Sequence, residues 1–212
     1  MIERYDSHAD YCATDTYQTW LRNWRPPTHT EVDVWEDTIE HDGHDADRIQ
    51  TPRQYGLVRS ASRMPFHLLD SMDMGDRACV DIGCGLNWFK RTYPRMWGVD
   101  PHNEPHRDEL WTPDWYRVNW GRWSHAWTCN AIHFCDQDTI ALNIAKVRGI
   151  LRPHGTAVIT INRARIVDFT PDYDEEGLYA TLCQTPGMTR MVWFNSPASA
   201  HMDGNVWIWL RQ

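Results

Sequence analysis

Residues 78–85 read Ala78-Cys79-Val80-Asp81-Ile82-Gly83-Cys84-Gly85, and residues 96–101 read Met96-Trp97-Gly98-Val99-Asp100-Pro101. The first stretch is an apolar strand running into a tight glycine turn. The second is another strand, ending in a carboxylate. Between them, Asn87 to Tyr93 is long enough for a short helix that stops before Pro94. Strand, turn, helix, strand is the opening of an open α/β sheet that binds nucleotide-like ligands. The glycines let the backbone pass where a Cβ would collide. Asp100 follows Asp81 by 19 residues, a spacing that suits a carboxylate accepting the two ribose hydroxyls of an adenosine group.

The turn narrows the choice of adenosine ligand. A dinucleotide fingerprint needs a third glycine where this chain has Trp88, and no Gly-Lys-Ser/Thr tripeptide of a phosphate loop occurs. Asp81, just before the glycines, repels a pyrophosphate and attracts a ligand bearing ammonium and sulfonium charges. The segment resembles motif I of the class I S-adenosylmethionine-dependent methyltransferases, with Asp81-Ile82-Gly83-Cys84-Gly85 as its core. Asn87 stands for that family's usual third glycine, a mild change because Asn tolerates left-handed backbone. Leu151-Arg152-Pro153-His154-Gly155 looks like the family's turn before its fifth strand. Asn130-Ala131-Ile132-His133-Phe134 is similar to the end of its fourth. The resemblance covers roughly residues 78 to 212. It implies an α/β, Rossmann-like, mostly parallel sheet with one antiparallel strand near the C-terminus. It also implies S-adenosylmethionine as cofactor, held by Asp81, Gly83, Gly85, Asp100, Pro101 and Asn130.

Composition sets the outer bounds. The chain has 212 residues, 42% of them hydrophobic, and a net charge of −8. That suits one core with an extension, and it lacks the basic footprint of a general nucleic-acid binder. No apolar run reaches the length of a membrane span. The first residues lack the basic-then-apolar form of a signal peptide, and the six cysteines form no Cys-x-x-Cys pair. These features lead us to expect reduced thiols and a cytoplasmic protein. Thirteen tryptophans are unusually many. Some must be core, and others sit beside polar residues as at binding surfaces, which leaves room for an oligomer.

Residues 1–74 read as a mainly helical and loop extension that covers an edge or the ligand mouth, and residues 75–212 as the core. In the extension, helices are expected over Asp15–Trp24, Glu31–Glu40 and Ser60–Asp70, with breaks at Pro26-Pro27 and at the polar tract 41–47. Arg59 or Arg63 is the cation expected near a cofactor carboxylate. In the core, strands are expected over 78–82, 96–100, 116–120, 126–134, 156–161, 191–194 and 206–210. Helices are expected over 104–111, 138–151 and 171–183; Ile140, Ile144, Val147 and Leu151 share one face of the second of these. The acidic residue that commonly follows the family's third strand is absent, and Trp120-Gly121-Arg122-Trp123 stands there. A tryptophan stacking on adenine is one substitute.

Methyl transfer needs a base only when the acceptor must lose a proton. His133 is the candidate catalytic residue, because a neutral imidazole suits base work near neutral pH; a histidine simply hydrogen-bonded at the strand end is the alternative. Asn130 and Asp136 are possible helpers, and His102 and His106 flank the same region. His41, His44, Asp45 and Asp47 have allowed metal-ligand types, but a solvated loop explains them better, so no metal is expected. There is no Asp/Asn-Pro-Pro-aromatic element after the fourth strand, no Pro-Cys dipeptide, and only Lys90 and Lys146 as lysines. With the acidic balance, these absences disfavour a nucleic-acid substrate and leave a small molecule or a protein side chain. The alternative is a methyltransferase-fold binding or structural module that no longer methylates.

Overall fold

The structure, a computed structural model, describes residues 1–23, 63–72, 78–85, 87, 89–102, 104, 106–133, 135–163, 166, 170, 172–195 and 205–212. The expected helix 31–40, the histidine tract 41–47, Arg59 and Trp88 lie outside them, as does the Arg63 side chain.

One eight-stranded sheet carries the fold, in the order β1-β7-β8-β6-β5-β2-β3-β4. Its strands are β1 (Ile2–Tyr5), β2 (Cys79–Ile82), β3 (Met96–Asp100), β4 (Glu109–Leu110), β5 (Trp123–Cys129), β6 (Leu151–Asn162), β7 (Met188–Phe194) and β8 (Asn205–Arg211). All pairings are parallel except those of β8, which runs antiparallel between β6 and β7. This is the mostly parallel α/β sheet, with antiparallel pairing at its C-terminal end, that the sequence led us to expect.

Both faces of the sheet are covered, so its strands are apolar on both sides. Val206, Ile208 and Leu210 of β8 face one core cluster, while Trp207 and Trp209 face the other. The first face packs against α5 (Trp115–Val118), α6 (Gln137–Gly149) and α7 (Glu175–Cys183) through Trp115, Ile140, Ile144, Val147, Leu178 and Leu182. Ile140, Ile144 and Val147 recur at the helical period, which is why α6 was legible. Asp174 starts α7 by accepting from the Gly177 amide at 3.0 Å.

The second face packs against α1 (His8–Cys12), α2 (Asp15–Asn23), α3 (Arg63–Asp70) and α4 (Phe89–Thr92). Tyr11, Tyr17, Leu68, Leu69 and Phe89 meet Trp127, Val158, Phe194 and Trp207 there. The described part of the N-terminal extension is therefore a layer of the same core. Its first residues form β1, which pairs with β7 at the sheet edge and is fastened by Glu3, whose carboxylate accepts from Arg190 Nε at 2.6 Å and Nη2 at 3.1 Å.

Several expected elements are corrected. Residues 116–120 are not the third strand: Trp115–Val118 is helical, because Trp115 and Tyr116 both bury on the first face, and Asn119 Nδ2 donates back to Trp115 O at 3.0 Å. The third strand of the core is the two-residue β4, inside the segment read as helix 104–111. β5 ends at Cys129 rather than Phe134, because Asn130 takes a left-handed turn at φ 52°. Arg152–Gly155 is not a stop before the next strand. It bulges within β6, between the pairings Trp123↔Leu151 and His125↔Thr156, with His154 at φ 65°.

All six cysteines are free. Five of the described tryptophans, at 115, 127, 193, 207 and 209, are buried in the core. No helix among the described residues is long and apolar enough to cross a membrane.

Candidate functional site

β2 and β3 run in register, with Asp81 opposite Gly98 and Ile82 opposite Val99. The chain leaves β2 through a tight turn in which the Gly83 and Cys84 amides donate to Val99 O at 2.8 and 3.1 Å. Gly83, Gly85 and Asn87 have φ of 73°, 54° and 57°. Those values lie in the left-handed region that glycine enters freely and Asn tolerates. The two glycines differ in what limits them. A Cβ on Gly83 would overlap the Ala131 methyl, so this position is set by packing, which corrects the expectation that ligand approach alone governs it. A Cβ on Gly85 would meet no described residue within 4 Å.

Asp100, at the end of β3, closes the turn from the other side. Its Oδ2 accepts from the Gly85 amide at 2.9 Å and its Oδ1 from the His102 amide at 2.8 Å. The carboxylate is nearly buried. Asp81 is fully buried in β2, and its Oδ2 has no hydrogen-bond partner among the described residues. Burial, with the nearby charge of Asp100, pushes its pKa up to about 8.

A network the sequence reading missed fixes the far end of the turn. Asp108 Oδ2 accepts from the Gly98 amide at 2.8 Å and from Asn87 Nδ2 at 3.1 Å, while Oδ1 pairs with Lys90. Asn87 Nδ2 also reaches His106 O at 2.9 Å, and its side chain lies where a Cβ on Gly98 would stand. Burial works to raise the Asp108 pKa, but the hydrogen bonds from Lys90, Gly98 and Asn87 outweigh it and hold the carboxyl below its ordinary value. Asp108→Ala is therefore expected to lower stability by about 1–3 kcal/mol, since it strands the Gly98 amide and removes one of the two acceptors of Asn87 Nδ2. Urea unfolding measures this. Hydrogen exchange should show the Gly98 amide losing protection; unaltered protection would mean the network holds nothing in place.

Trp111 was also missed as a site residue. It follows β4 directly, donates its amide to Asp100 O at 3.1 Å, and brings its ring to 3.8 Å from the Cβ position of Gly83. It is half-buried and edge-on to Tyr116. The tryptophan beside the turn is thus Trp111, at the carboxyl end of β4, whereas Trp120 precedes β5 and Trp123 is its first residue. The available signal was Glu109-Leu110-Trp111, too short to read as a strand.

The other expected residues scatter around this rim. Pro101 is exposed just past β3. Asn130 directly follows β5; its amide donates to Thr160 O at 3.1 Å and its Oδ1 accepts from Thr160 Oγ1 at 3.1 Å. Its side chain is thereby tied to β6. His133 lies four residues past the end of β5, in a turn whose Ile132 O accepts from Asn143 of α6, and its ring is 0% exposed. Asp136 is exposed at the start of α6 and makes no capping hydrogen bond. His102 is exposed and His106 half-buried in the connection from β3 to β4. No group of three or more metal-ligand side chains occurs among the described residues.

No family model matches the sequence, and no curated protein matches it. Solved structures do match in shape. A SAM-dependent methyltransferase from Archaeoglobus fulgidus superposes with a TM-score of 0.51 at 12% identity, covering 74% of this chain and 94% of that one. A chain from the complex of the Haloferax volcanii Trm112 methyltransferase activator with a putative methyltransferase gives 0.51 at 13% identity, covering 76% and 94%. The N-methyltransferase NodS from Bradyrhizobium japonicum WM9, in complex with S-adenosyl-L-homocysteine, gives 0.50 at 14% identity, covering 73% and 86%. With the strand order, the lone antiparallel strand and the glycine turn between β2 and α4 all in agreement, the chain has the fold of the class I S-adenosylmethionine-dependent methyltransferases.

Proposed function

We propose that this protein is an S-adenosylmethionine-dependent methyltransferase acting on a small molecule or a protein side chain. The observation that carries the reading is the space over Gly85, clear of every described residue and beside the Asp100 carboxylate, at the carboxyl ends of adjacent parallel strands. Ligands of open α/β sheets bind at such ends. When bound, S-adenosylmethionine supplies a methyl group on a sulfonium that is its own leaving group. The protein's task is then chiefly alignment. Gly85 leaves room for close backbone approach. Asp100 places a carboxylate, the group suited to accept ribose hydroxyls, at the end of β3 beside the turn. Trp111 offers an indole face beside the turn, and buried Asp81 favours a cationic ligand by its negative potential when ionised. The acidic chain and the absent nucleic-acid motifs favour a small or protein acceptor.

The burial of His133 favours a second reading, a fold that binds the cofactor without methylating, because the one expected base has no surface to offer an acceptor. Titration calorimetry with S-adenosylmethionine and S-adenosylhomocysteine tests the cofactor site for both readings, and turnover on candidate acceptors separates them. Asp100→Ala is expected to weaken binding at least roughly tenfold, the worth of one hydrogen bond to a charged group. Unchanged affinity in a folded variant would remove Asp100 from the site.

A further inference from the structure

A cavity of about 500 Å³ opens at the opposite end of the parallel strands from the glycine turn, where α6 and α7 end, β6 and β7 begin and β8 ends. Its volume is that of a small-molecule site. Three features of its wall point to a ligand. Trp120 is 63% exposed, an unusual state for a large ring. That ring is held in place all the same, because it lies where a Cβ on Gly149 would stand. Arg148 is half-buried in the last turn of α6, and its Nε donates to Arg211 O at 3.3 Å. Among the described residues it pairs with no carboxylate. Guanidinium carries five donors, and Nε uses only one of them. Ala145 and Ala180, both exposed, add apolar surface to its floor.

We propose that this cavity is a second ligand site, separate from the glycine turn, for a planar aromatic carboxylate. The ring of the ligand stacks on Trp120 and fills the space over the alanines, and its carboxylate meets the Nη groups of Arg148 in the paired geometry guanidinium favours. The helices α6 and α7 point their carbonyl ends toward this region, which disfavours an anion except against Arg148. That restriction fixes the orientation of the ligand.

The probe is 2-naphthoate, titrated against the full chain by ligand-observed NMR, with S-adenosylhomocysteine present to occupy the glycine-turn site. Saturable binding is expected. It should weaken roughly tenfold or more in Arg148→Gln and in Trp120→Ala, as loss of one charge-assisted contact or one stacking partner implies. Ala145→Trp, which fills the floor, should abolish it; thermal melts establish that each variant is folded, and the first two, at exposed or half-exposed positions, decide the matter if the third is not. 2-Naphthylmethylammonium should bind more weakly than the carboxylate. The proposal is overturned if 2-naphthoate shows no saturable binding up to about 5 mM. Equal affinity of the wild type and both variants, or an ammonium that binds as well as the acid, overturns it too.

Discussion

Gly83→Ala is expected to destabilise the protein by roughly 2–5 kcal/mol, while Gly85→Val is expected to leave it folded and remove cofactor binding. At Gly83 two costs add. An L-residue at φ 73° costs about 1–2 kcal/mol. Forcing its methyl into that of Ala131 adds about 1–3 kcal/mol of overpacking. At Gly85 only the backbone cost applies to the empty protein, because no described residue lies within 4 Å of its Cβ position. The valine side chain then occupies the volume assigned to the ligand. Urea unfolding and calorimetry on the two variants separate the effects. A Gly85→Val protein that binds S-adenosylmethionine with wild-type affinity would place the ligand elsewhere, and a Gly83→Ala protein of normal stability would deny the packing role of Ala131.

The second large effect concerns pH. Asp81 has its folded pKa raised from 3.8 to about 8 by burial and by Asp100. Between those values the native state keeps a proton that the unfolded chain has lost. Stability must therefore fall as pH rises through that window, with a slope of at most about 1.4 kcal/mol per pH unit from this group. His67 acts the other way below neutrality. Burial lowers its pKa from 6.5 to about 4, so its contribution makes stability rise with pH between those two values and then level off. The clean window for Asp81 is thus pH 6.5 to 8. Wild-type stability is expected to drop across it, whereas Asp81→Asn, which carries no titrating proton, is expected to be flat there and more stable than wild type at pH 8. Equal slopes for the two proteins would mean that Asp81 stays ionised, with a partner for its charge.

Much of the candidate site was written locally. Val80, Ile82 and Val99 mark buried strands by their β-branched side chains. Asp81, Gly83, Gly85 and Asp100 then follow from spacing, since each strand must end where its polar residues begin. The period of Ile140, Ile144 and Val147 determined α6, and the apolar run 206–210 marked β8 as a strand, while its place between β6 and β7, buried on both faces, came only with the fold.

Tertiary structure decided the rest. A two-residue strand such as β4 has no periodicity of its own and exists because Val99 and Asp100 provide its partner; with it came the position of Trp111. Residues 115–118 carry adjacent aromatics that fit strand and helix alike, and the groove against α6 chose the helix. β1 forms because β7, far along the chain, offers an edge and Arg190 a counter-charge for Glu3. The constraint on Gly83 comes from Ala131, which local sequence cannot place beside it. Short-range patterning fixes which residues are strand-like and where they stop, because those preferences act through neighbouring side chains and backbone. Pairing, packing clashes and buried polar networks act between distant segments, so only the folded chain brings their partners together.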